Sequence, residues 1–162
     1  MADDRRIKFN SPLGEDLLIV SMAGAEALGR PFNYNLTFFS EKEDLSATDI
    51  VGQLVTIELE VLGGGTRYFN GYVKSFAQIG RAQEAYVVYQ AEIVPWIWLL
   101  TKTSDCKIFQ NTSVPDILKE VFKESGFTDY DFRLTRSYRT REYCVQYRES
   151  DFNFVSRLME EE

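Results

Sequence analysis

Apolar and polar residues alternate through much of the first hundred positions with the two-residue period of a strand. In residues 32–39, Phe32, Tyr34, Leu36 and Phe38 fall on one face and Asn33, Asn35 and Thr37 on the other, so one side of this strand is expected to meet water. Residues 55–61 (VTIELEV) give the cleanest case, with Val55, Ile57, Leu59 and Val61 opposing Thr56, Glu58 and Glu60. Gly63, Gly64 and Gly65 then supply a turn that tolerates positive φ, and residues 67–76 return as the partner of a hairpin. An apolar strand over residues 16–22 precedes these, followed by a short loop punctuated by Gly24 and residues 29–31, and residues 41–46 form a charged turn. Residues 85–94 place Val87, Tyr89, Ala91 and Ile93 opposite Tyr86 and Val88 until Pro95 stops the strand. Four or five turn-separated strands predict an antiparallel barrel or sandwich.

The period changes in the second part of the chain. Residues 113–116 read Ser-Val-Pro-Asp, a helix start, and Val114, Ile117, Leu118, Val121 and Phe122 then line one face against Lys119, Glu120, Lys123 and Glu124, with Gly126 as the cap. Tyr143, Val145 and Tyr147 alternate with Cys144, Gln146 and Arg148 in a final strand. Ser150 or Asp151 opens a second helix, in which Phe152, Val155, Leu158 and Met159 recur at helical spacing. That helix runs into Glu160, Glu161 and Glu162 without a left-handed cap, whereas the carbonyl end of a helix favours cations. The chain is therefore expected to stop within a helix and to be the front part of a longer protein. The fold class predicted is α+β, mainly β: a barrel-like domain over residues 1–100, then a helix-strand-helix segment over 101–162 that begins a second barrel-like domain and is expected to be truncated.

Composition narrows the function classes. Of 162 residues, 44% are hydrophobic, enough for a core, and 25 acids against 18 bases give a net charge of −7. That sign repels a phosphate backbone and an anionic membrane over long range, so no nucleic-acid partner is expected. No apolar run reaches the ~20 residues that span a bilayer, and the first residues, MADDRRIKF, lack the apolar segment of a signal peptide. Synthesis and folding in the cytoplasm, without stable membrane insertion, are the expectation. Cys106 and Cys144 read as buried small apolar residues rather than a disulfide.

Histidine is absent altogether, which removes Ser-His-Asp and Cys-His nucleophiles and His-ligated zinc. A catalytic reading would have to use Glu149 and Asp151 as acid and base, yet a strand end and a helix cap account for both. The glycines at 63–65 would need a Lys-Ser/Thr or a helix start to cradle phosphate, and Thr66 and Arg67 open a strand instead. Arg133, Arg136, Arg139 and Arg141 could bind an anion, but Glu142, Glu149 and Asp151 are close enough in sequence to pair them, so a solvated or interface face is preferred. Tyr68, Tyr72, Trp96 and Trp98 could stack saccharides on a β scaffold, although the Trp96 and Trp98 run reads as core. No catalytic, cofactor-binding or metal-ligating residue is assigned, and no cofactor is expected.

Taken in order, residues 24–32 (GAEALGRPF), 51–55 (VGQLV), 69–73 (FNGYV), 94–99 (VPWIWL), 108–121 (IFQNTSVPDILKEV) and 144–162 (CVQYRESDFNFVSRLMEEE) resemble the VgrG spike proteins of bacterial type VI secretion systems, which are similar to the tail hub proteins of contractile phages. The resemblance spans nearly the whole chain. It implies a non-enzymatic structural hub whose barrel-like domains trimerise and sit on the tube of Hcp among baseplate proteins. A C-terminal needle, absent from this sequence, would carry effectors. It also implies assembly in the cytoplasm followed by secretion or injection by the machinery without a signal peptide.

Overall fold

The computed structural model describes residues 6–82 and 85–162, and no helix among them is long and apolar enough to cross a membrane. The chain divides into two compact units, Met1–Pro95 and Trp96–Glu162. The first unit holds β1 (Ile7–Asn10), β2 (Leu18–Ala27), β3 (Arg30–Ser40), β4 (Leu54–Glu60), β5 (Thr66–Ala82) and β6 (Tyr86–Val94). They form one six-stranded antiparallel sheet in the order β1-β4-β5-β6-β3-β2. Edge strands β1 and β2 approach one another, so the sheet curls into a partly open barrel.

The inward positions are those the alternation marks. Tyr34, Leu36 and Phe38 of β3, Val55 and Ile57 of β4, and Val87, Tyr89, Ala91 and Ile93 of β6 are buried in one core. Phe9 packs on Phe38 at 4.7 Å between ring centroids, and Phe76 stacks on Tyr89 at 5.0 Å. The Tyr89 hydroxyl donates to the Lys42 carbonyl at 3.1 Å, which satisfies its polar end and fastens the loop after β3. The β4–β5 hairpin turns on Gly63, Gly64 and Gly65, all near φ +100°, a conformation closed to residues with a Cβ.

Several local features differ from the expectation. β1 carries too few residues to show a period and is specified by its pairing with β4. The first apolar strand begins at Leu18, after a 3₁₀ turn at Gly14–Asp16, and continues through Gly24 to Ala27. Gly24 thus lies inside a strand rather than in a loop: a Cβ there would run into the Tyr34 ring and come within 2.7 Å of the Asn33 carbonyl oxygen. Val61 falls beyond the end of β4 and is exposed.

The second unit opens with a 3₁₀ segment, Trp96–Thr101, followed by β7 (Ser104–Ser113), α1 (Val114–Glu124), β8 (Thr140–Ser150) and α2 (Asp151–Glu161). β7 and β8 pair as an antiparallel ribbon with a register shift between Asp105 and Lys107. In α1 every apolar position expected to face inward is buried. The helix stops in a left-handed Gly126, φ +80°, with Gly126 N–H donating to the Lys123 carbonyl and Phe127 N–H to that of Phe122. Ser113 does not cap through its hydroxyl, which donates instead to Asp116 at 2.6 Å. In α2 the cap is Ser150, whose Oγ accepts from Asn153 N–H. Its buried stripe is Phe154, Val155 and Leu158, with Phe152 half-buried and Met159 exposed, so the stripe is turned by part of a turn from the expected one.

Candidate interaction surfaces

Glu149 and Asp151, the pair on which catalysis would rest, are both held by structural partners. Glu149 Oε1 lies 2.6 Å from the Arg157 guanidinium, which also donates to the Val145 carbonyl and so ties α2 to β8. Asp151 Oδ1 accepts from the buried Gln146 amide at 2.6 Å, and its backbone N–H donates to the Thr103 carbonyl. Among the described residues no group of three or more His, Cys, Asp or Glu could hold a metal ion.

The aromatic residues separate by unit. Tyr68, on β5 of the first unit, is 58% exposed. Trp96 belongs to the second unit's core edge. It meets Phe122 edge-on at 5.0 Å, stacks on Phe127 at 4.8 Å and donates its indole N–H to the Asp129 carbonyl at 2.9 Å. Trp98 is half-buried with the Lys102 ammonium 4.7 Å from its ring centre. The glycines at 63–65 lead directly into β5, with no helix start to hold phosphate. The cysteines remain unbridged, Cys144 buried as expected but Cys106 exposed because the outer face of β7 leaves it uncovered.

What folding leaves open is apolar surface and a group of arginines. The ribbon turns Phe109, Cys144 and Gln146 inward onto the helices, with Phe109 stacked on Phe154 at 5.6 Å. Its outer face then carries Ile108, Tyr143 and Tyr147, each about three-fifths exposed, with Val145 half-buried opposite Ile108. In the first unit, a cavity of about 620 Å³ opens along the barrel seam between Ile7, Met22 and Phe69. Tyr34 donates its phenol to Glu26 there, and Arg67 lies 3.4 Å from the same carboxylate. Burial, reinforced by the Glu26 carboxylate, holds the Tyr34 phenol well above its ordinary range.

The arginines do not pair with the acids expected of them. Arg141 takes Glu161 at 2.7 Å and Glu162 at 2.9 Å, and Arg136 also reaches Glu162, because the last turn of α2 comes back over the start of β8. Hydrogen bonding to Arg141 holds the Glu161 carboxyl below the ordinary carboxylate range. Sequence distance hid this arrangement, which brings together residues some twenty positions apart.

The family model of the phage tail baseplate hub (GPD) matches residues 25–162. The chain is similar to two type VI secretion system spike proteins of Pseudomonas aeruginosa, VgrG1b and VgrG1a, at 49% identity over 159 and 160 residues. Each alignment covers 98% of this chain but only 21% and 25% of those relatives, so the chain spans about a fifth to a quarter of their length. Among solved structures it is similar to an E. coli component of the type VI secretion system, itself described as resembling the T4 bacteriophage tail proteins gp27 and gp5. The TM-score is 0.81 at 27% identity, covering 96% of this chain and 42% of that one. A chain of the Francisella PdpA-VgrG complex shares the fold at a TM-score of 0.67 and 16% identity, over 96% of this chain and 28% of that one.

Proposed function

This chain belongs to the phage tail baseplate hub family, with the VgrG spike proteins of type VI secretion among its relatives, and on that premise we propose that it works by assembly rather than by chemistry. The first unit serves as a barrel-like hub domain and the second as the opening of another. In the full-length parent three copies join, the ring they form sits on the Hcp tube among baseplate proteins, and regions outside this chain carry effectors. The parent assembles in the cytoplasm and leaves with the machinery it caps.

The observation that carries the reading is the outer face of the β7–β8 ribbon, where Ile108, Tyr143 and Tyr147 stand in solvent beside Val145. A strand pair that presents its apolar side chains outward is suited to burial against another chain, and a stable interface of this kind covers more than ~1,000 Å² in total. The bonds made by Glu149 and Asp151 favour assembly over catalysis, and the packing of Trp96 favours it over saccharide stacking. Light scattering on the full-length parent, alone and with Hcp rings, tests the proposal. A trimer that binds the rings is expected; a monomer indifferent to Hcp would remove it.

A further inference from the structure

Six asparagines stand in the chain, and Asn70 is the one that precedes a glycine. Asn70 lies exposed on β5 opposite Thr56 of β4, whose hydroxyl donates to Asn70 Oδ1 at 2.7 Å. The glycine after it is imposed by packing. Gly71 pairs with Val55 and is buried, and a Cβ there would come within 2.7 Å of the Ile93 side chain and 2.8 Å of the Val94 carbonyl oxygen. Glycine, lacking a Cβ, also hinders its own backbone nitrogen least. The close strand approach that requires Gly71 therefore leaves in β5 a dipeptide open to attack from within the chain.

We propose that Asn70–Gly71 is a site of spontaneous conversion to isoaspartate, held closed by the folded barrel and uncovered when the β4–β5 hairpin opens. In the reaction the Gly71 backbone nitrogen gives up its proton and bonds to Asn70 Cγ, the Cγ–Nδ2 bond breaks, and the amide leaves as ammonia. Water then opens the cyclic imide at either carbonyl. Opening at Cγ yields aspartate; opening at the main-chain carbonyl reroutes the chain through Cγ and leaves a free α-carboxylate. Ring closure needs ψ of Asn70 to leave the extended range, which parts β5 from β4 at Thr56. The two products differ in what the sheet accepts. Aspartate keeps the oxygen to which Thr56 donates. Isoaspartate adds a methylene to the main chain, which puts the buried Val73 and Phe76 out of step with the part of β5 before them. A copy modified in this way cannot rebuild the pairing it lost, so each isoaspartate records an earlier opening. The site is independent of the hub reading, because it rests on the first unit's own strand pairing.

The test is incubation of the full chain at mildly alkaline pH, in buffer and in concentrated urea. Peptide mapping by mass spectrometry follows conversion, with isoaspartate separated from aspartate by chromatography. Asn70 should convert at least about a hundredfold more slowly in buffer than in urea, and in urea it should react ahead of the other asparagines. Ile57→Ala, which loosens β4 and leaves the Asn70–Gly71 bond untouched, should speed conversion in buffer at least about tenfold. Where circular dichroism shows that this variant does not fold, Thr56→Ala takes its place, with an expected rise of about threefold. Asn70→Gln, whose longer side chain would have to close a larger ring, should abolish conversion at this peptide. Chains carrying isoaspartate, purified and refolded, should not regain the native melt. Equal rates in buffer and urea, another asparagine reacting first in urea, indifference to the β4 substitutions, or an isoaspartate chain that melts like the unmodified protein would each overturn the proposal.

Discussion

The two units put an amphipathic strand to opposite uses. In the first, the more apolar faces of β3, β4 and β6 turn inward, and Leu36, Phe38, Val55, Ile57 and Ile93 are almost wholly shielded. In the second, β8 buries Cys144 and Gln146 while Tyr143 and Tyr147 stand in solvent. The cause is the layer that covers each face. A sheet curling on itself has one inside, so its apolar face becomes the core. A two-stranded ribbon relies on two helices whose own stripes, led by Ile117, Val121, Phe154 and Leu158, supply most of the apolar contact. Alternation along a strand separates two faces; the element lying against them decides which is the interior.

The sharpest break between the units is core deletion against face deletion. Phe38→Ala in the first unit and Phe154→Ala in the second should each cost about 3–5 kcal/mol, as fully buried aromatics do. Ile108→Ser combined with Tyr147→Ser, on the outer face of the ribbon, should change stability by less than ~1 kcal/mol. Urea denaturation of the three variants makes the comparison. A cost above ~2 kcal/mol for the double serine variant would mean that this face is packed within the chain.

A second, smaller effect separates two glycines of the first unit. Gly24→Ala should cost about 1–3 kcal/mol, because its methyl overlaps the Tyr34 ring. Gly80→Ala, with no atom within 4 Å of the new methyl, should leave stability unchanged or raise it by up to ~1 kcal/mol through the unfolded chain. Thermal melts that move in the same direction for both would contradict the close strand approach at Gly24.

The smallest effects lie at the extremes of pH and distinguish the units again. The depressed Glu161 carboxyl contributes stability that is present above the ordinary glutamate range, ~4.3, and is lost as pH falls through its lowered value. The raised Tyr34 phenol has the opposite sign: its contribution is complete below the ordinary value, ~10, and is lost as pH rises through the raised one. Arg141→Gln should therefore flatten part of the acid limb in the second unit alone. Tyr34→Phe should flatten part of the alkaline limb in the first alone. Hydrogen exchange followed separately in Met1–Pro95 and Trp96–Glu162 reads both, and equal effects in the two units would contradict the assignment.

How much the sequence disclosed depends on how local the cause was. The strands around Leu36, Ile57 and Tyr89, the glycine turn and the inward face of α1 follow from periods of two and 3.6 within short windows. β1 and β7 did not emerge, since a four-residue strand has almost no period and Cys106, Lys107, Gln110 and Asn111 dilute the apolar signal in β7. The ion pairs of Arg141 depend on α2 returning across the start of β8, and the nearest acids in sequence were the wrong partners. The family resemblance lies in whole segments such as residues 108–121 and needs no single reactive group. Nothing comparable marks out the apolar groove between Leu118, Leu134 and Met159, which exists only once α1, α2 and residues 130–138 have come together.

The strand order also sets a timetable for synthesis. β2 and β3 are neighbours in sequence and can pair as soon as both have emerged, within microseconds for a simple hairpin. The other partner of β3 is β6, and the ribosome must add every residue from Ser40 to Tyr86 before that pairing can begin. At ~5–20 residues per second this takes roughly 2–9 s. β1 waits in the same way for β4. For those seconds a β2–β3 hairpin, marginal on its own, would have Leu36 and Phe38 uncovered and a free edge along β3, a template to which another emerging chain could add a strand. The interval ends only when β6 arrives, so the rate of elongation between β3 and β6 governs how long each new copy is exposed to pairing with a neighbour on the same message.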